Sequence, residues 1–377
     1  MKKILILAAV SATFASAAHA QSSVTLYGVV DAGFTYVQNE VSPGNSPKHA
    51  ASFGVTSGNA SGSRWGMRGR EDLGGGYAAI FTLENGFNVA NGTTGQGNRS
   101  FGRQAFVGVS SSYGTLTLGR QYDSMVDYIG PLTATGSWGG VYLAHRGDND
   151  NANASMRINN SVKYQSANYD GFSFSGLYGF SNQAGAFAND RAYSAAMGYS
   201  NGGLKLAAGY RQVQGVGGNA SGAVQDGAPN IGVAGERQRQ RQRTWGAGGS
   251  YAFGPASVGL VYTQSRFNFI ANDASVRYSN YEVNAHYNLT PALSFGAAYT
   301  YMQALQNTPG VSNGSSHWNQ IGLQADYALS RRTDLYLEGV AQVGAKGNKI
   351  GSQVFGTDAP SSGRSQGLVT TGIRHRF

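Results

Sequence analysis

A chain of 377 residues with no cysteine, 56 glycines and only 12% charged residues is long enough for two ordinary domains or one large barrel, and it carries about half the charge of a typical soluble protein. Its net charge of +9, of which Lys2 and Lys3 supply two, is scattered along the chain, so nucleic acid is not expected as a partner and anionic lipid or anionic solutes are. No stretch beyond the N-terminus approaches 18 consecutive apolar residues, which excludes a helical membrane span but not barrel strands, whose alternation escapes a hydropathy window.

Lys2 and Lys3 precede an apolar run over 4–10, small residues and Ala18-His19-Ala20, the pattern of a secretory leader cleaved after residue 20. An uncleaved anchor is the alternative reading. From Val24 the chain turns to period two. Leu26, Val30, Phe34 and Tyr36 share one face, while Tyr27, Asp31 and Gly33 share the other, as in a strand between an apolar and a wetter phase. The same division predicts strands over 24–37, 62–72, 76–88, 101–110, 114–121, 157–167, 171–181 and 191–200. It continues over 203–213, 243–253, 255–266, 275–288, 291–304, 316–327, 332–344 and 364–377. That makes about sixteen, an even number, as a closed bacterial barrel requires.

In the second strand Arg64, Arg68 and Arg70 fall on one side and Trp65 and Met67 on the other; Glu84, like Asp31, lies on the polar side of its strand. The connections alternate between short turns and long polar loops (38–61, 89–100, 122–156, 214–242, 305–315, 345–363), the asymmetry of an outer-membrane barrel. The stretch 122–157 is too long and too ordered in its surroundings to be idle. It is rich in Gly, Asn and Asp, carries Asp123, Asp127, Asp148 and Asp150, and is predicted to fold inside the strand wall and set what passes. Arg157 opens the next strand in phase with Asn159, Ser161, Lys163 and Gln165, which marks these as lumen residues.

Further on, Arg237, Arg239, Arg241 and Arg243 alternate with glutamine, so an extended segment presents all four on one side, toward lipid headgroups or the channel mouth; a solvated loop is the alternative. The last strand ends on Phe377 and puts Val369, Thr371, Ile373 and Phe377 outward, Arg374 and Arg376 inward. Closure of the last strand on the first follows from physics, because an open sheet edge in hydrocarbon leaves backbone polar groups without partners.

VTLYGVVDAG at the start of the first strand, SRWGMRGREDLGGGYAAIFTLENGF, RQAFVGVSSSYGTLTLGRQYD and the terminal GIRHRF together resemble the general porins of Gram-negative outer membranes, especially the β-proteobacterial ones. The resemblance implies an all-β, closed antiparallel transmembrane barrel of about sixteen strands over 21–377, a third loop folded into the lumen, assembly as a homotrimer, and a terminal aromatic, Phe377, read by the barrel-insertion machinery. Implied surroundings are the cell outer membrane with its lipopolysaccharide, and implied cargo is small hydrophilic solutes and inorganic ions. The resemblance also places Arg64, Arg120 and Arg157 at the constriction, with Arg68 and Lys163 nearby and acids such as Asp123, Asp127 and Glu84 opposing them. Alternation puts Arg120 with Leu116 and Leu118, so either the strand bulges or ends before it or it does not face the constriction. Where cation-preferring relatives often carry an acid before an aromatic-Gly-Gly, this chain has Ser137 before Trp138, which predicts an anion preference.

No H-E-x-x-H or other metal spacing, no G-x-S-x-G elbow and no cysteine nucleophile is present, and Gly74-Gly75-Gly76 joins two strands where a dinucleotide site needs a helix, so neither catalysis nor a cofactor is expected. The expected function is passive diffusion through a water-filled outer-membrane channel. Two rivals are a substrate-specific channel for phosphate or a carboxylate, and an outer-membrane adhesin whose long loops do the work.

Overall fold

A computed structural model describes residues 23–42, 46–215, 221–224, 240–269, 273–310 and 313–377. The predicted leader and Arg237 and Arg239 lie outside them. The strands are β1 (Ser23–Ser42), β2 (Ser46–Ser57), β3 (Arg64–Gly74), β4 (Tyr77–Gly86), β5 (Gln104–Ser111), β6 (Gly114–Gln121), β7 (Ile158–Ser166) and β8 (Phe172–Gly179). They continue as β9 (Ala192–Asn201), β10 (Leu204–Gln214), β11 (Gln240–Phe253), β12 (Ala256–Phe269), β13 (Ser275–Asn288), β14 (Leu293–Asn307), β15 (Gly314–Ala328), β16 (Thr333–Gly344) and β17 (Ser365–Arg376).

All seventeen belong to one antiparallel sheet closed by β1 on β17. The first half of β1 pairs with β3 (Ser23↔Arg70 to Val29↔Arg64) and its second half with β2 (Ala32↔Ser57 onward), so β2 and β3 share one position and the barrel has sixteen. β2 corrects the expectation of a loop over 38–61. In its described part only Phe53 and Val55 are large, apolar and exposed, among Ala, Ser and Gly, and two such residues are too few to register as alternation.

Alternation is seen directly along β14: Phe295, Ala297 and Tyr299 are exposed toward the bilayer, and Gly296, Ala298 and Thr300 are buried toward the lumen. Short turns gather at one rim. The β3–β4 turn puts Gly74, Gly75 and Gly76 at φ 80°, 61° and 80°, a left-handed path that glycine takes without strain. At the seam, Gly28 and Phe377 exchange backbone hydrogen bonds, N to O at 3.0 and 3.1 Å. A Cβ on Gly28 would lie 2.3 Å from the Phe377 ring and 2.7 Å from the Arg64 carbonyl. Gly28→Val is therefore expected to cost about 1–3 kcal/mol in overpacking at the closing seam, read as a lower yield of folded, heat-modifiable barrel on refolding into detergent; an unchanged yield would overturn this.

Candidate channel constriction

The wall opens between β6 and β7, and residues 122–157 enter the lumen. Asp123 caps the one-turn helix Ser124–Tyr128 by accepting from the Met125 and Val126 amides. Its second oxygen accepts from Arg211 at 3.2 Å and from Asn151 at 2.8 Å, which ties both ends of the loop to β10. The chain then lies along the inner face of the wall. Ala134 N donates to Glu282 (2.7 Å), Asn284 to the Leu132 carbonyl (2.9 Å), Gly140 N to Glu338 (2.7 Å) and Val141 N to the Asn59 carbonyl (2.7 Å). Small wall residues make room. A Cβ on Gly296 would lie 2.1 Å from the Trp138 ring and one on Gly322 would lie 1.9 Å from Leu143.

The return stroke is held by a buried charge cluster. His145 is 1% exposed and bridges Asp150 (Nδ1, 2.6 Å) and Glu282 (Nε2, 3.0 Å). Burial alone would lower its pKa, but the two carboxylates outweigh burial and hold it well above the usual imidazole range, so both ring nitrogens donate. Asp150 also accepts from Thr263 at 2.5 Å; against its own burial, the charge and hydrogen bond of His145 push it down to about 2.

With the loop seated along β11 to β17, an opening of about 510 Å³ remains on the other side. Arg64, Arg103, Arg157 and Arg374 line it from the wall, and Thr135, Ser137, Asn153 and Ser155 line it from the loop. No carboxylate is among its lining residues. Acids orient the guanidinium groups from behind. Glu84 takes Arg103 at 2.7 Å and Arg64 at 3.6 Å, and Asp334 and Asp326 take Arg374 at 2.8 and 3.0 Å. Arg157 lies over the Tyr122 ring, 5.2 Å from its centroid, and donates to the Ser155 carbonyl at 3.1 Å. A larger cavity, about 580 Å³, is apolar and sits on the outer face among Val258, Phe295, Leu323 and Val369, outside the channel.

Of the residues singled out from sequence, Arg64, Arg157 and Ser137 line the opening, and Glu84 stands directly behind it. Arg68 shares the side of Arg64 but lies away from the opening, over the Tyr27 ring at 5.4 Å. Lys163 pairs with Asp127 and donates to the Tyr122 carbonyl at 3.0 Å, at the root of the loop. The expected row of loop acids facing wall arginines does not form. Asp123, Asp148 and Asp150 are at most 1% exposed and spend their oxygens on Arg211, on the Asn153 and Ser155 amides and on His145, because a loop of this length inside a lumen needs internal partners for its own backbone.

Arg120 stands where alternation left two readings open: the register does shift between Gly119 and Gln121, and the side chain is buried against the Gly102 carbonyl (2.8 Å) and Asn159 and is not among the residues lining the opening. Arg103 and Arg374 were not singled out. Inward parity marked Arg374, but Arg103 precedes β5, where no pleat dictates its direction.

The sequence profile of the family described as Gram-negative porin matches residues 7–348. The chain is 33% identical to an outer membrane porin protein of Bordetella pertussis and 31% identical to outer membrane porin protein 32 of Delftia acidovorans, with 100% of both chains covered in each case. Among solved structures it is similar to an anion-selective porin from Comamonas acidovorans (TM-score 0.73, 25% identity, 95% of this chain and 100% of that one). It shares the fold of OmpT of Vibrio cholerae (TM-score 0.65, 17% identity, 96% and 100% covered).

Proposed function

The chain belongs to the Gram-negative porin family, and on that premise we propose that it is a general diffusion channel of the outer membrane whose eyelet prefers small anions. The observation that carries the preference is the lining of the opening: four arginines, neutral Thr135, Ser137, Asn153 and Ser155, and no carboxylate. Fixed charges along so narrow a passage act within a Debye length of about 8 Å at physiological salt, so anions are concentrated and cations depleted there. We assign Arg64, Arg103, Arg157 and Arg374 as the selectivity wall and Phe377 as the closing residue that the insertion machinery reads. A homotrimer, in contact with lipopolysaccharide, is the assembly we propose; one OmpT structure of similar fold is described as a trimer form.

Clustering of four guanidinium groups also favours a second reading, a channel that binds a multivalent anion such as phosphate. One experiment separates the two. The purified protein in a planar bilayer under a KCl gradient is expected to give an anionic reversal potential and an ohmic current that micromolar phosphate leaves unchanged. Saturable block would favour the specific channel, and a cationic sign would overturn the anion preference.

A further inference from the structure

Outside the lumen, three arginines stand side by side. Arg243 on β11 is paired with Arg266 on β12, and Arg266 with Arg277 on β13. All three share the outward phase of their strands: Trp245 is 44% and Tyr281 49% exposed, two residues from Arg243 and four from Arg277. Like charges directly across strands repel, and among the described residues none of the salt bridges includes Arg241, Arg243, Arg266 or Arg277. Their position lies at the rim that carries loop 122–157, the extracellular one by loop length.

Below them runs an aromatic ribbon, Trp245–Tyr262–Tyr281–Tyr301, with successive ring centroids 5.0, 4.8 and 6.1 Å apart. Such a girdle marks the membrane–water interface. Four residues separate Arg266 from Tyr262, about 13 Å along a strand and roughly 9 Å above the ribbon at a tilt of about 45°. That is headgroup height. Beneath the ribbon the same strands enclose an outward apolar groove of about 570 Å³ that includes Gly249, Leu260, Tyr281, Val283 and Tyr299.

We propose that Arg243, Arg266 and Arg277 form a binding site for the phosphates of a phosphorylated outer-leaflet glycolipid, one of whose acyl chains lies in the groove below. The site deepens the outer-membrane reading and rests on it. A phosphate between adjacent guanidinium groups accepts from both and removes their repulsion. A second copy of this chain is a poorer occupant: the strand acids Asp31, Glu84, Glu282, Asp334 and Glu338 are buried on the lumen side, Glu71 and Asp72 lie beside the short β3–β4 turn at the opposite rim, and among the described residues the exposed acids at this rim, such as Asp273 and Asp358, are single residues in loops that form no matching cluster.

The test titrates the detergent-purified full chain, by native mass spectrometry, with rough lipopolysaccharide, with the same lipid after dephosphorylation, and with inorganic pyrophosphate alone. Wild-type protein is expected to bind the phosphorylated lipid at least tenfold more tightly than the dephosphorylated one. Arg266→Gln combined with Arg277→Gln is expected to remove that difference, while Arg266→Lys with Arg277→Lys keeps most of it. Equal binding of both lipids by the wild type would overturn the proposal without any variant having to fold. Binding of pyrophosphate as tight as that of the phosphorylated lipid would overturn the lipid as occupant. Single-channel conductance of the variants, expected to be unchanged, reads the channel separately, so a failure of the lipid site is distinguishable from a failure of the channel reading.

Discussion

Replacing Arg64 and Arg157 together with glutamate is expected to carry the reversal potential in a salt gradient from the anionic to the cationic side. Both side chains line the opening, and the loop opposite them offers no carboxylate to be relieved by their loss. A unit charge about 5 Å from the ion path is worth about 0.8 kcal/mol in water, and screening leaves roughly half. Each Arg→Glu change is a swing of two charges and acts in opposite directions on anions and cations, so the permeability ratio is expected to move by more than an order of magnitude. The two remaining wall arginines offset only part of that swing, because carboxylates stand close against them. Arg103 is held by Glu84 at 2.7 Å, and Arg374 by Asp334 and Asp326. Arg68→Ala, which alters a residue away from the opening, serves as the control and should shift the potential far less. A reversal potential unmoved by the double substitution would place the selectivity step elsewhere in the barrel.

The barrel was legible because hydrocarbon imposes one rule on every strand. Outward residues such as Phe295, Tyr299 and Leu337 must be apolar and inward ones such as Thr300 and Glu338 are free to be polar, so period two survives through a sequence of low overall hydropathy. It failed where that rule acts on few residues, as in β2, with Phe53 and Val55 only. The constriction was half legible. Arg64 and Arg374 follow from parity, since each sits within a strand. Arg120 and Arg103 do not, since one lies at a register shift and the other before its strand begins. The fate of the loop acids was beyond periodicity altogether. Asp123, Asp148 and Asp150 look like channel-facing charges in sequence, but the loop consumes them as caps and anchors. Nor does periodicity link His145 to Glu282, which completes its cluster from the wall 137 residues away.

That cluster is expected to make the loop's seat dependent on pH and on one wall carboxylate. Glu282→Ala is expected to unseat the loop. It strips the buried His145 of one anion, the Ala134 amide of its 2.7 Å acceptor and Asn284 of a partner. Breaking a buried pair from one side costs about 3–5 kcal/mol, enough to populate an unseated state that reads as larger, noisier single-channel conductance and as cleavage within 122–157 by added protease. Glu282→Gln keeps an acceptor for the Ala134 amide and should lie between. The sign of the pH dependence follows from the seated and released pKa values. Seating raises that of His145, so its contribution is complete below about 6.5, the released value, and is lost as pH rises through the raised one. Seating lowers that of Asp150 to about 2, so its contribution is present above the ordinary carboxylate range and is lost as pH falls toward that value. The loop is therefore held hardest between about pH 4 and 6.5, and noise should grow on the alkaline side. His145→Gln should flatten that alkaline limb; a wild-type conductance that stays equally quiet throughout the alkaline range, with 122–157 equally protected from protease in Glu282→Ala, would refute the latch.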